Sequence, residues 1–216
     1  MKIKFLGHSG FIIEDEKTIV IDPFLSGNPV ATMSEKDLTG ADIVLVTHSH
    51  ADHLGDALTI AKKTGAALVG APEVVWTDEI SGEGMNFGGT AEIQGTKVTM
   101  VKAEHSTETG DSAGFVWKQG GHTLYHMGDT GLFSDIRIIA ERHKPDILFV
   151  PIGDRFTMGP DEAAIATKWV NPEIVIPMHF ATLPFLVQDP QGFSENVQRQ
   201  CSSRVVILKP GEEVNV

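Results

Sequence analysis

An apolar run, Ile43-Val44-Leu45-Val46, leads straight into Thr47-His48-Ser49-His50-Ala51-Asp52-His53. Three histidines and one aspartate fall within six residues, and no other stretch narrows the options for this chain as far. The apolar run reads as a strand buried on both faces. Such a strand would deliver four ligands of the type that suits zinc, iron or manganese to a loop at its end. His48 and His50 are two apart, so in extended backbone they point the same way and can share one ion. Asp52 and His53 lie where the chain turns into a helix, within reach of a second ion. A four-coordinate catalytic zinc needs only three protein ligands, so four candidates in one loop point to two metals.

Two metals need more ligands, and these stand at the ends of other apolar runs. His105 follows Val98–Ala103, Asp129 follows Leu124-Tyr125-His126-Met127, and His179 follows Ile174-Val175-Ile176. Asp22, at the end of Thr18–Ile21, is the leading candidate to hold a ligating histidine by its second nitrogen, a partner that such histidines normally have. His8 and Thr47 are weaker candidates for the same work. Asp154 and Arg155, in Gly153-Asp154-Arg155-Phe156-Thr157-Met158, suit a substrate lip, since functional loops cap strand ends. Met85-Asn86-Phe87-Gly88-Gly89 reads as a second lip or a hairpin turn. His126 reads as a strand residue facing solvent or core, and His122 and His143 as surface residues. Cys201 is expected in a helix and buried. No serine or cysteine stands out as a covalent nucleophile.

The remaining segments alternate. Ile3–Leu6, Phe11–Glu14 and Thr18–Ile21 read as an antiparallel meander. His53–Lys63 has helical composition with Gly65 as its C-terminal cap. Ala66–Val69 reads as a strand, Pro72–Ile80 as a short helix, and 81–89 as a glycine-rich loop. Ala91–Ile93, Thr96–Ala103, Ser112–Lys118 and Thr123–His126 form a second set of strands. Phe133–His143 (helix), Ile147–Val150 (strand), Pro160–Val170 (helix), Ile174–Ile176 (strand), Ser194–Gln200 (helix) and Val205–Leu208 (last strand) follow. Two half-chains of similar plan would each give a sheet with helices on one side. Packed face to face they make a four-layer αββα sandwich of the α+β class, one domain over residues 1–216.

Lys and Arg number 17 against 29 Asp and Glu, a net charge of 17 − 29 = −12. That disfavours nonspecific nucleic-acid binding, which relies on basic side chains, and favours a small-molecule substrate. One cysteine among 216 residues excludes an internal disulfide, in keeping with a reducing cytoplasm. No stretch approaches the roughly 18 apolar residues of a membrane span, and assembly into a homo-oligomer is an open expectation.

The order His-x-His-x-Asp-His, then His105, Asp129 and His179, resembles the metallo-β-lactamase superfamily over almost the whole chain. The resemblance implies a first metal on His48, His50 and His105, a second on Asp52, His53 and His179, and Asp129 bridging. Gly7-His8-Ser9-Gly10-Phe11, Ile21-Asp22-Pro23-Phe24, Gly128-Asp129-Thr130-Gly131 and Pro151-Ile152-Gly153-Asp154 look like the branch that holds ascorbate-6-phosphate lactonase-like proteins and metal-dependent hydrolases. Within it, Phe156-Thr157-Met158-Gly159-Pro160 looks most like the latter. Members commonly carry Tyr after the last histidine; Phe180 stands there instead and removes a hydroxyl. The implied chemistry is hydrolysis of a small ester, lactone, thioester, amide or phosphodiester by a hydroxide between two divalent metals, with Asp52, Asp129 and His179 at the reacting centre. Zinc is the first choice of metal, with manganese, iron or nickel fitting similar ligands. The alternatives are a phosphodiesterase or nuclease acting on RNA or cyclic nucleotides, a di-iron redox protein, and a non-catalytic metal binder of the same fold.

Overall fold

A computed structural model describes residues 1–216. Three strands open the chain as an antiparallel meander: β1 (Lys2–Gly7), β2 (Gly10–Glu14) and β3 (Thr18–Ile21). β4 (Ile43–Leu45), β5 (Ala67–Gly70) and β6 (Glu83–Gly84) then add in parallel. Parallel neighbours need crossovers, which are usually helical. Here α1 (Ala51–Leu54) and α2 (Ala57–Thr64) join β4 to β5, and α3 (Pro72–Val75) joins β5 to β6.

The second half repeats the plan. β7 (Thr90–Ile93), β8 (Thr96–Lys102), β9 (Ala113–Gln119) and β10 (His122–His126) are antiparallel. α4 (Ile136–His143), β11 (Ile147–Pro151), α5 (Pro160–Val170), β12 (Ile174–Met178), α6 (Gln191–Gln200) and β13 (Arg204–Val205) continue it with parallel strands. β14 (Glu213–Asn215) crosses back to pair with β1. The result is two seven-stranded sheets, ordered β14-β1-β2-β3-β4-β5-β6 and β13-β12-β11-β10-β9-β8-β7.

The period of two along a strand divides the core. On β11, Ile147 and Phe149 face the other sheet, while Leu148 and Val150 face α4–α6. β12 does the same with Ile174 and Ile176 against Val175. Phe149 meets Phe11 of the opposite sheet at 4.6 Å between ring centres. The four-layer αββα order expected above is therefore the architecture found. No helix is long and apolar enough to cross a membrane.

Several local expectations need correction. The helix over 53–63 is broken in two at Gly55, which has φ +42° and would place any Cβ within 2.5 Å of the Pro23 carbonyl oxygen. Beyond the break, the Asp56 carboxylate accepts from the Leu25 and Ser26 amides and ties the start of α2 to the loop after β3. The helix at Pro72 stops at Val75, because Trp76 turns out to donate its indole N–H to the Gly82 carbonyl. The glycine-rich segment after it contains β6. α4 begins at Ile136 rather than Phe133, and α6 begins at Gln191, three residues early. β13 is shorter than expected and is not the last strand. Cys201 caps α6 from just beyond it and is half-buried.

Candidate metal centre

The seven residues singled out as ligands meet at one edge of the two sheets. His48, His50, Asp52 and His53 leave the end of β4, Asp129 the end of β10 and His179 the end of β12. These are carboxyl ends of parallel-paired strands, where α/β sheets place their sites. His105 comes from beyond β8, an antiparallel-paired strand of the sheet that also carries Asp129 and His179. Its loop is held by Ser49 Oγ, which accepts from the Glu108 and Thr109 amides at 3.1 and 3.0 Å.

The donors form three overlapping groups, each with its atoms within 4.8 Å of one another: His48, His50 and His105; His8, Asp52, His53 and His179; and His48, His53 and Asp129. Asp129 joins them. Its Oδ2 lies 3.0 Å from His179 Nε2 and 3.7 Å from His105 Nε2, and its Oδ1 lies 3.2 Å from His53 Nε2. His48, His53, Asp129 and His179 are buried, while His50, Asp52 and His105 are half-buried and form the open side.

Behind the donors stands a carboxylate hub. Asp22 is fully buried. Its Oδ1 accepts from the Thr47 amide at 2.8 Å, and its Oδ2 accepts from the Thr47 hydroxyl and from His53 Nδ1, both at 2.7 Å. With its own hydrogen given to Asp22, Thr47 Oγ1 accepts from His48 Nδ1 at 3.0 Å. Both histidines thus carry their proton on Nδ1 and turn a bare Nε2 into the cluster. His8 donates from Nε2 to Asp52 Oδ2 at 3.1 Å and fixes that carboxylate.

Electrostatics follow from burial and these pairs. Burial, aided by neighbouring His53, pushes His48 down to about 2. Burial likewise lowers His8 and His105. Burial pushes the carboxyls of Asp52 and Asp129 up, but the histidines around each outweigh it and hold both below the usual range. Burial also disfavours charge on His53, yet Asp129 and Asp22 on its two sides raise it well above its ordinary value. The pocket therefore calls for positive charge beside His53 Nε2, which a proton supplies and a cation would supply equally. His53 Nε2 and Asp129 Oδ1 are buried, close, and without a hydrogen-bond partner. Orphaned acceptors of this kind, in a set of imidazoles and carboxylates, fit divalent zinc, iron or manganese.

The other candidates divide. His8 and Asp22 touch the ligand residues directly. Asp154 and Arg155 are exposed and outside the clusters, on a loop whose Gly153 lies against His179. Phe180 turns away, stacks on Phe5 at 6.3 Å, and lines a separate cavity of about 500 Å³ with Val30, Ile207 and Leu208. Phe87 lines another cavity, with Val101 and Ile139, rather than a lip of this site.

Two contributors escape a reading of the sequence. His126 is fully buried; its Nε2 donates to the Ser9 carbonyl at 3.0 Å, and its Nδ1 accepts from the Gly128 amide at 3.2 Å. One imidazole so ties the turn bearing His8 in one sheet to the loop bearing Asp129 in the other. The second is strain: His8, Asp22 and His179 all have left-handed backbone, with φ 57°, 45° and 59°. The only sequence signal for His126 is that it shares the inward face of its strand with Leu124.

Comparison with known proteins agrees with this geometry. Residues 2–179 match the profile of the β-lactamase superfamily domain. A metal-dependent hydrolase of Methanosarcina barkeri is 42% identical over 100% of this chain and 99% of its own. A second, of Methanopyrus kandleri, is 46% identical over 98% of each. Among solved structures, a metallo hydrolase from the hyperthermophilic archaeon Ignicoccus hospitalis superposes with TM-score 0.92 at 34% identity, covering 99% of this chain and 97% of the other.

Proposed function

Because this chain belongs to the β-lactamase superfamily and is a metal-dependent hydrolase, we propose that it holds two divalent cations, zinc first among them, and hydrolyses a small ester, lactone, thioester, amide or phosphodiester. His48, His50 and His105 would hold one cation, Asp52, His53 and His179 the other, with Asp129 shared. The observation that carries the reading is the position of Asp129, whose Oδ2 lies 3.7 Å from His105 and 3.0 Å from His179 and so stands between the two groups. When bound, such a pair of cations lowers the pKa of a water toward neutrality and polarises the oxygen of the scissile group.

The chain's own residues do the rest. Asp52 is on the open side and ionised. With Oδ2 engaged by His8, its other oxygen would serve the cation and, while ligating, orient a water or accept its proton. Asp129 and His179, buried and 3.0 Å apart, complete the reacting centre. Asp22 and Thr47 keep His53 and His48 in the tautomer that leaves Nε2 bare. Half-buried His50, Asp52 and His105 mark the side from which substrate enters.

The test is metal content with a hydrolase panel. Wild-type protein should bind two equivalents and turn over at least one substrate class. His50→Ala and Asp129→Ala should each lose metal and lower turnover by more than the roughly 10–100-fold that loss of an outer partner causes. Unchanged stoichiometry and rate in both variants would overturn the two-metal reading.

A further inference from the structure

Five of the loops around the metal centre are residues 47–56, 103–112, 127–135, 152–159 and 179–190. They carry many acids, among them Asp56, Glu104, Glu108, Asp111, Asp135 and Asp189, but a single Lys or Arg, Arg155. No carboxylate pairs with it, whereas Lys2, Lys4, Lys17 and Lys102 each hold one. Its guanidinium carbon instead lies 5.7 Å from the ring centre of Phe156 and 5.5 Å from that of Phe185. The two rings meet edge to face at 5.7 Å and 89°. They are among the few large apolar side chains left in water, 53% and 45% exposed.

The two loops carrying this group are pinned to the site. The Thr157 hydroxyl accepts from the Gly153 amide, and the Met158 amide donates to the Thr130 carbonyl, next to Asp129. The Val187 amide donates to the Gly153 carbonyl, and Gln188 Nε2 donates to the Leu183 and Leu186 carbonyls. Gly153 itself would put a Cβ 2.5 Å from His179 Nδ1. The loop bearing Arg155 is therefore anchored to the strand ends that carry Asp129 and His179, with the exposed Arg155 side chain two residues from Gly153. Rings at this distance attract a guanidinium as a cation without taking its N–H donors, and its edge matches an oxyanion in two parallel hydrogen bonds.

We propose that Arg155, Phe156 and Phe185 form a subsite for the anionic end of the substrate, which makes the substrate a small ester or lactone with a carboxylate on an apolar or aromatic frame. This rests on the hydrolytic reading above and narrows it. The carboxylate pairs with the edge of Arg155, the frame lies on the two rings, and the scissile group reaches inward past His179.

The test uses metal-loaded wild type, Arg155→Ala and Arg155→Lys. The probes are 4-acetoxybenzoate and its neutral methyl ester, with 4-hydroxybenzoate titrated calorimetrically. Arg155→Ala should raise KM for the anionic ester about tenfold, the scale of one fixed charge-assisted contact, and raise KM for the neutral ester much less. Arg155→Lys should recover part of the loss. 4-Hydroxybenzoate should bind wild type about tenfold more tightly than Arg155→Ala. Turnover of neither ester counts against the hydrolytic reading, while the titration still decides the subsite. Equal titration of wild type and Arg155→Ala, or none with wild type, overturns the subsite. Tighter, Arg155-dependent binding of phenyl phosphate overturns the choice of carboxylate. A change of oligomeric state in Arg155→Ala without a change in titration shows a surface between copies and overturns it as well.

Discussion

Asp22→Asn is the sharpest probe of the hub behind the metal centre. The substitution keeps shape and suits the left-handed backbone at this position, φ 45°, which asparagine tolerates and alanine does not. With its carbonyl left on the Thr47 amide, the new amide nitrogen replaces Oδ2, which accepts from Thr47 Oγ1 and His53 Nδ1 at 2.7 Å each. A donor there forces His53 Nδ1 to accept, and the proton moves to Nε2, the atom facing Asp129 at 3.2 Å. The Thr47 hydroxyl, now accepting, turns its hydrogen toward His48 Nδ1 and drives the same exchange in His48. Flipping the amide instead sets two donors against each other at the Thr47 backbone. Loss of an outer partner costs about 10–100-fold in metal affinity, or about 1.4–2.7 kcal/mol. Two affected histidines place this variant at the upper end. Zinc affinity by chelator competition reads the loss, and nitrogen NMR of the metal-free protein, at a pH above the raised value of His53 where the ring is neutral, reads the tautomer. Wild-type affinity together with His53 still protonated on Nδ1 would refute the relay.

Gly153→Ala should displace His179, since a Cβ there falls 2.5 Å from both its Nδ1 and its carbonyl oxygen. Overpacking of this kind costs about 1–3 kcal/mol, read by denaturant unfolding, with loss of the more weakly held metal read by mass spectrometry. Tyr125→Phe should stabilise the protein by about 1 kcal/mol, because the buried hydroxyl has no partner. Burial raises the Tyr125 phenol above its ordinary value. Folded and unfolded states both keep the proton below about pH 10, so its contribution is complete there and is lost as pH rises through the folded value. Tyr125→Phe should therefore also flatten the alkaline end of the stability profile, and an unchanged alkaline midpoint would count against this account.

What the sequence discloses about this site depends on how far each contact reaches. The ligands are legible because each is a polar residue at the end of an apolar run, and a run's end is a local signal. Asp22 is legible for the same reason, standing at the end of β3. The break at Gly55 is not, because local composition over 53–63 favours helix and only the Pro23 carbonyl forbids its continuation. β14 is three residues with no burial pattern of its own, and it exists because β1 offers a free edge. His126 reads as one more strand residue until the sheets face each other and bring it to Ser9, 117 residues away. The setting of Arg155 likewise requires Phe185 from a loop beyond the next strand. These blind spots have one cause. His8, Asp22 and the 48–53 loop belong to one sheet, and His105, Asp129 and His179 to the other, so the distance between the two donor groups is set by sheet-on-sheet packing. Core residues that space the sheets, such as Phe11 and Phe149 at 4.6 Å, thereby act on the metal centre without touching it. Trimming one of them should shift Asp129 against His53 before it disturbs His48 and His50, which share one loop and keep their spacing whatever the sheets do.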